Sequence, residues 1–433
     1  EAAVFHILYE AGDAGHCYLP LEELKKQCED KLEVPSDVLE ATLDALITQK
    51  RIENDNNNIY LGYYYYYEKK SAEILVRIMT SPSASKPLEP HAYVNWAAKE
   101  AGIKLAQAQY DAIVKALTSK VSIITGGPGV GKTTILRLLV SILDKAGQSA
   151  ALCAPTGRAA KRMSQSIGKE AKTIHRLLKY KPDTGDFEYG AGKKLGFKWI
   201  IIDETSMIDL PLFYFLLSAL DDGVRLLFVG DVDQLPSVGP GSALNDLITS
   251  GVIPVTFLTE IFRQSQESYI VKNAHRINRG MMPEYPKEDP LKLPDFFFLK
   301  CEEPEKAQDI IIDVVKNQIP NKFKLNPIDD VQVLSPMYKR VMGAEVLNAR
   351  LQKALNPIAS SGGAARGFYP GDKIMQVRNN YEKEVFNGDI GKIISFDNES
   401  QAALVDFDGK TVEYDYSELD EITPAYALSL IHI

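Results

Sequence analysis

The chain has 433 residues, 45% of them hydrophobic and 25% charged, with a formal net charge of −9. That composition is that of an ordinary soluble protein, with room for roughly two to four domains. It shows no apolar run of about eighteen residues, no signal-peptide pattern and only four scattered cysteines (Cys17, Cys28, Cys153, Cys301), which argues against a membrane-spanning helix, a membrane partner or a disulfide framework and points to a reducing cytoplasm.

The first residues read as a small helical module. Val4, Ile7, Leu8 and Ala11 share one helical face, Leu21, Leu24 and Cys28 a second, and Leu39, Leu43, Leu46 and Ile47 a third. Arg51-Ile52-Glu53 and Ile59-Tyr60-Leu61 then flank an Asn/Asp-rich hairpin signal. Three helices and a hairpin make a winged-helix pattern, which serves either to bind DNA or to pack on a neighbour. The module is expected over 1–80. Tyr63 to Tyr67 point to all sides of a helix, so packing is favoured over a base-stacking platform. A Pro/Ser-rich linker follows at 81–94.

From 95 to 262 strands alternate with helices, as in a parallel-sheet α/β domain. Apolar runs at 121–124, 149–153, 198–202 and 225–229 read as its buried strands. The first runs into Gly126-Gly127-Pro128-Gly129-Val130-Gly131-Lys132-Thr133, and Thr134 continues into a helical pattern. Strand, glycine-rich loop and helix together form a P-loop. Its backbone N–H groups cradle phosphates, Lys132 reaches the β- and γ-phosphates, and Thr133 ligates Mg2+. Residues 126–134 are therefore the expected ATP site.

The run 200–202 ends in Asp203 and Glu204. Asp203 suits a magnesium-linked role and Glu204 a general base for the attacking water. A further strand ends at Gly230-Asp231, and Gln234 beyond it is placed to sense the γ-phosphate. Between Arg158 and Lys198, eleven Lys or Arg face four Asp or Glu, a surplus of seven positive charges. Directly after a nucleotide site, that surplus suggests a DNA-facing surface, although charge runs are often plain solvated surface. The hairpin signal at 180–189 is either a strand-splitting pin or a surface turn. His16 and His275 carry no argument. A second α/β domain is expected over 263–365, with a strand at 331–334. Period-two segments at 373–377, 390–396, 402–407 and 410–416 predict a small β-barrel over 366–422, and 423–433 return to the second domain.

In these motifs the sequence strongly resembles the RecD-like helicases of superfamily 1, the 5′-to-3′ group. Further strings carry the resemblance: Leu105-Ala106-Gln107-Ala108-Gln109, Ala154-Pro155-Thr156-Gly157-Arg158, Thr173-Ile174-His175-Arg176, Leu258-Thr259-Glu260-Ile261-Phe262-Arg263, Gly371-Asp372-Lys373 and Asn387-Gly388-Asp389. The resemblance implies two RecA-like P-loop domains, the second incomplete, with a winged-helix-like module and an SH3-like barrel insertion. It also implies an ATP- and Mg2+-dependent 5′-to-3′ DNA helicase or translocase for repair or recombination, acting as a monomer on single-stranded DNA and at duplex-to-single-strand junctions. Gln109 would read adenine and Arg263 would stabilise the γ-phosphate. Pro155, Thr156, Arg158, Thr173, His175, Pro236 and Ser237 would contact DNA, with His175 a positioning group rather than a base.

The segment after Ala425-Tyr426-Ala427 departs from the family pattern. Read this way, the chain is a fragment truncated at both ends, lacking a second γ-phosphate arginine and expected to bind ATP without efficient turnover. Two rivals share some of these motifs: the helicase part of a conjugative relaxase, and an ATP-switch winged-helix regulator that does not translocate.

Overall fold

The structure, a computed structural model, describes residues 1–181, 184–260, 268–286, 294–360, 365–378, 380, 382–383, 385–397 and 399–430. Arg263, the hairpin residues Pro182 and Asp183, and the final residues from Ile431 lie outside them. The chain forms two compact units, Glu1–Phe297 and Phe298–Ile433.

The first unit opens on helices Ala2–Asp13, Leu21–Leu32 and Ser36–Thr48, followed by strands Ile52–Asp55 and Asn58–Leu61. Their predicted apolar stripes meet in one core of Val4, Ile7, Leu24, Cys28, Leu39, Leu46, Ile52 and Ile59. A short strand, Tyr18–Pro20, joins the hairpin, so three strands rather than two form the wing. The next helix, Gly62–Thr80, carries the tyrosine run. Tyr67 stacks on Tyr214 with ring centroids 4.5 Å apart, and Tyr60 meets Tyr65 edge-on at 5.5 Å. The run therefore packs against helix Leu210–Ser218. Lower in the same helix, Ile74, Leu75 and Ile78 join the core of the large sheet, so this helix belongs to both modules.

That sheet has six strands, all parallel, in the order 255–257, 121–125, 225–230, 199–202, 150–154, 171–173. Period-two alternation splits the strand residues between two cores. Val121, Ile123, Ile200, Ile202, Leu226 and Phe228 face the core that receives Ile74 and Leu216. Ile124, Trp199, Ile201, Leu227 and Val229 face the opposite core, with helices Gln107–Thr118 and Lys132–Lys145. Strands buried on both faces need the near-continuous apolar runs seen in the sequence.

The linker is ordered. Ala84 N–H donates to Gly223 C=O at 2.9 Å, and Arg225 Nε donates to Ser85 Oγ at 2.7 Å. A second tie joins the N-terminal module to the loop after Asp231: Gly241 N–H donates to Gly15 C=O at 3.0 Å. The first unit continues past the boundary expected at 262/263, through helix Tyr269–Asn278, because this helix packs on the phosphate loop.

In the second unit, strand Val333–Ser335 pairs in parallel with Ala427–Ser429, and helix Ala344–Leu355 packs beside them. Between these lies a five-stranded antiparallel sheet in the order 410–415, 402–407, 390–397, 373–376, 422–424, wrapped around Ile374, Ile393, Val405 and Tyr414. Asp372 ties the sheet to its neighbours. Fully buried, it accepts from Asn356 Nδ2 at 2.7 Å, Tyr426 Oη at 2.9 Å, Gln352 Nε2 at 2.6 Å and Tyr369 N–H at 2.8 Å. Asp372→Ala leaves several buried donors unpaired and is expected to destabilise this unit by about 3 kcal/mol. Chemical denaturation followed by tryptophan-independent circular dichroism reads it; a loss below about 1 kcal/mol would mean that water replaces the carboxylate.

Candidate functional site

A parallel sheet puts the C-terminal ends of all its strands on one edge, and ligands bind there. Every predicted site residue of the first unit within the described set follows such an end or, for Gln109, touches a loop that does.

The loop after Val121–Thr125 turns through Gly129 at φ 77° and Gly131 at φ 85°, conformations that a side chain disfavours. Gly131 then caps helix Lys132–Lys145, which has no side-chain cap. Its first-turn N–H groups are left for an anion. Lys132 Nζ donates to Gly126 C=O and, at 3.2 Å, to Gly127 C=O, so its ammonium lies over the loop.

Gln109 is buried and engaged at both ends of its amide. Nε2 donates to Val130 C=O and Oε1 accepts from Ala106 N–H, each at 3.3 Å. Its visible role is to brace the loop from the start of helix Gln107–Thr118.

At the neighbouring strand ends stand the acids. Asp203 accepts from Glu204 N–H at 2.9 Å, and its own N–H donates to Cys153 C=O. Burial pushes the Asp203 carboxyl upward in pKa, while the Glu204 N–H, Lys132 and Arg162 pull it back. Glu204 is raised too, first by burial and then by the Asp203 charge. It sits at φ 51°, a left-handed conformation rare outside glycine. The two carboxylates stand side by side, and the Lys132 charge reaches both. Asp231 is buried and accepts from Asp233 N–H at 3.1 Å; Val232 N–H donates to Thr125 Oγ1 at 3.2 Å, linking this loop to the P-loop strand. Gln234 is exposed beyond it.

The expected DNA residues lie largely on the other half of the edge. Thr156 caps helix Gly157–Ile167 by accepting from Ala159 N–H at 3.2 Å. Thr173 caps helix Ile174–Leu178 through Arg176 N–H at 3.1 Å. Both hydroxyls thus have structural partners, and Arg158 is exposed. His175 packs against the hairpin, with Tyr180 and Phe187 each 5.8 Å away between ring centroids. Burial lowers its pKa, which favours a neutral imidazole. Ser237 Oγ lies 2.7 Å from Gly241 C=O and folds the loop so that Leu235 and Val238 project outward, 71% and 67% exposed. Part of the basic surplus is neutralised locally: Lys169 pairs with Asp144, and Lys179 and Lys193 with Glu188.

One residue at the phosphate loop had no sequence signal. His275, on helix Tyr269–Asn278, lies against Gly127 so closely that a Cβ there would come 2.6 Å from its Cε1. A lone histidine in a half-buried helix has no motif, and only the tertiary contact reveals it.

Two stretches of the chain match known family models. Residues 109–240 match the family model of an AAA domain, and residues 347–407 that of the ATP-dependent RecD-like DNA helicase SH3 domain. The ATP-dependent RecD2 DNA helicase of Deinococcus radiodurans is 30% identical over 99% of this chain and 59% of its own length. The RecBCD enzyme subunit RecD of Mycolicibacterium smegmatis is 28% identical over 67% of this chain and 58% of its own. The chain thus spans rather more than half the length of these relatives. The solved Pif1 helicase of Candida albicans aligns with 76% of this chain and 86% of its own at 19% identity, with a TM-score of 0.41.

Proposed function

Because the chain belongs to the RecD-like helicases of superfamily 1, we propose that the protein containing it is an ATP-driven 5′-to-3′ translocase that unwinds duplex DNA in repair or recombination. The observation that carries this reading is the shared sheet edge. Phosphate loop, acid pair and the Asp231–Gln234 turn follow the strands 121–125, 199–202 and 225–230, and the candidate strand contacts follow 150–154 and 171–173 beside them.

Bound ATP supplies the phosphoryl group that is transferred, and Mg2+ neutralises its charge. The loop meets the donor requirements of such a group: unpaired N–H groups at a helix start, an ammonium above them and two adjacent carboxylates. Thr133 and Asp203 are the residues to hold the metal, and Lys132 orients the phosphates. Glu204 takes the proton of the attacking water. Gln109 serves the base by fixing the loop edge. Gln234 senses the terminal phosphate, and Arg263 is assigned charge stabilisation by resemblance alone. DNA affinity is expected to be phosphate-directed, tolerant of sequence and sensitive to salt.

ATPase of the full-length protein, measured with and without single-stranded DNA, tests the central reading. Stimulation, with unwinding of 5′-tailed but not 3′-tailed duplexes, is expected. An ATPase indifferent to DNA would favour the switch-regulator rival.

The 180–189 hairpin is proposed to be the pin. Strands Tyr180–Lys181 and Asp186–Phe187 form it, and its base rests on His175 and Phe215 through Phe187. Replacing 182–185 and its flanks with a tight turn is expected to lower unwinding by about tenfold or more while DNA-stimulated ATPase stays within about twofold. Survival of both activities removes the pin role; loss of both makes the segment structural.

A further inference from the structure

We propose that His275 is a positioning residue for the terminal phosphate of the nucleotide, donating a hydrogen bond from Nε2. The proposal rests on the reading of 126–133 as an ATP site. Its starting point is a mismatch. His275 Nε2 is buried and has no hydrogen-bond partner among the described residues. Buried polar atoms are almost always paired, so one left alone beside a ligand loop points to the ligand.

The helix that carries His275 is otherwise satisfied and firmly placed. Ser268 caps it by accepting from Val271 N–H at 3.2 Å, and Asp295 accepts from Tyr269 N–H at 2.9 Å. Asn273 forms a two-way pair with the Glu284 backbone, at 2.8 and 2.7 Å. Arg276 reaches Met282 C=O at 2.9 Å and the Glu284 carboxylate at 2.7 Å. A helix tied at its start, middle and end holds one inward side chain in register.

The place of that ring on the loop points to the phosphate. The ring meets Gly127 with Cε1 leading, and Nε2 and Nδ1 follow at 3.3 and 3.4 Å from where a Cβ would sit. The carbonyl of the same Gly127 accepts from Lys132 Nζ. In a P-loop that ammonium serves the β- and γ-phosphates. His275 and the Lys132 ammonium thus meet the same glycine, on the part of the loop that serves the phosphates by which ATP and ADP differ. Gly127 leaves the room for the ring, since any side chain there would displace it.

The test is the ratio of dissociation constants for ADP and a non-hydrolysable ATP analogue, both with Mg2+, measured by calorimetry on the full chain. Wild type is expected to prefer the analogue. His275→Ala and His275→Leu should reduce that preference by about tenfold, the scale of a hydrogen bond to a charged group, with ADP affinity nearly unchanged. His275→Gln, whose amide N–H can occupy the Nε2 position, should retain it within about threefold. A preference unchanged in both the Ala and Leu variants overturns the proposal. So does a Gln variant that loses as much as Leu, since packing of the ring would then be the contribution. Wild type that binds neither nucleotide overturns the ATP reading itself, a result distinct from the other two.

Discussion

Lys132→Ala in the full-length protein is expected to bring ATP turnover down by about 10³-fold, to background, with DNA present or absent. Removing one preorganised donor from developing charge costs about 10²–10³ in rate, and Lys132 carries a full charge. Its effect extends to the acids as well. Lys132 is among the groups that hold the Asp203 and Glu204 carboxyls down against burial, so its loss favours their neutral forms. A neutral Asp203 is a poorer magnesium ligand and a neutral Glu204 cannot accept a proton. The measurement is steady-state phosphate release beside a thermal melt. A folded variant with more than about a tenth of wild-type turnover would sink the assignment of the loop as the catalytic phosphate site.

Glu204→Gln is expected to separate binding from chemistry. The amide keeps the shape but cannot take the water's proton, so hydrolysis should fall by about 10²-fold or more. Nucleotide affinity should hold or rise. The Asp203 charge raises the Glu204 pKa, so the two acids repel when both are ionised, and a neutral Gln relieves that repulsion. Single-turnover hydrolysis and equilibrium binding on one preparation give both numbers. Near-normal hydrolysis would remove Glu204 from the role of base, and loss of binding would make it a ligand-holding residue instead.

The large sheet was legible because its strands are buried on both faces. Such strands need unbroken apolar runs such as Trp199-Ile200-Ile201-Ile202, and these stand out from amphipathic surroundings. The phosphate loop was legible for another reason: its glycines answer to backbone geometry, which leaves a fixed spacing. Other features left no such trace. Tyr18-Leu19-Pro20 is too short for periodicity, and it becomes a strand only through pairing with Asn58–Tyr60. Nothing in the sequence of helix Gly62–Thr80 marks a division, yet its two ends serve different cores. Gln109 shows its residue type in the sequence but not its partners, which are main-chain groups at 106 and 130. His275 depends wholly on a contact between segments nearly 150 residues apart.

The bond from Gly241 to Gly15 changes the physics of the turn that follows Asp231. The arc from Gln234 to Gly239 is clamped at its start by Gln234 N–H on Asp231 C=O and at its end by Leu210 N–H on Pro240 C=O, then by Gly15. A span closed at both ends samples few shapes, and the entropy of closing it is lost when the chain folds. Leu235 and Val238 are therefore already arrayed in the folded chain. A ligand that touched this turn would meet little ordering penalty there.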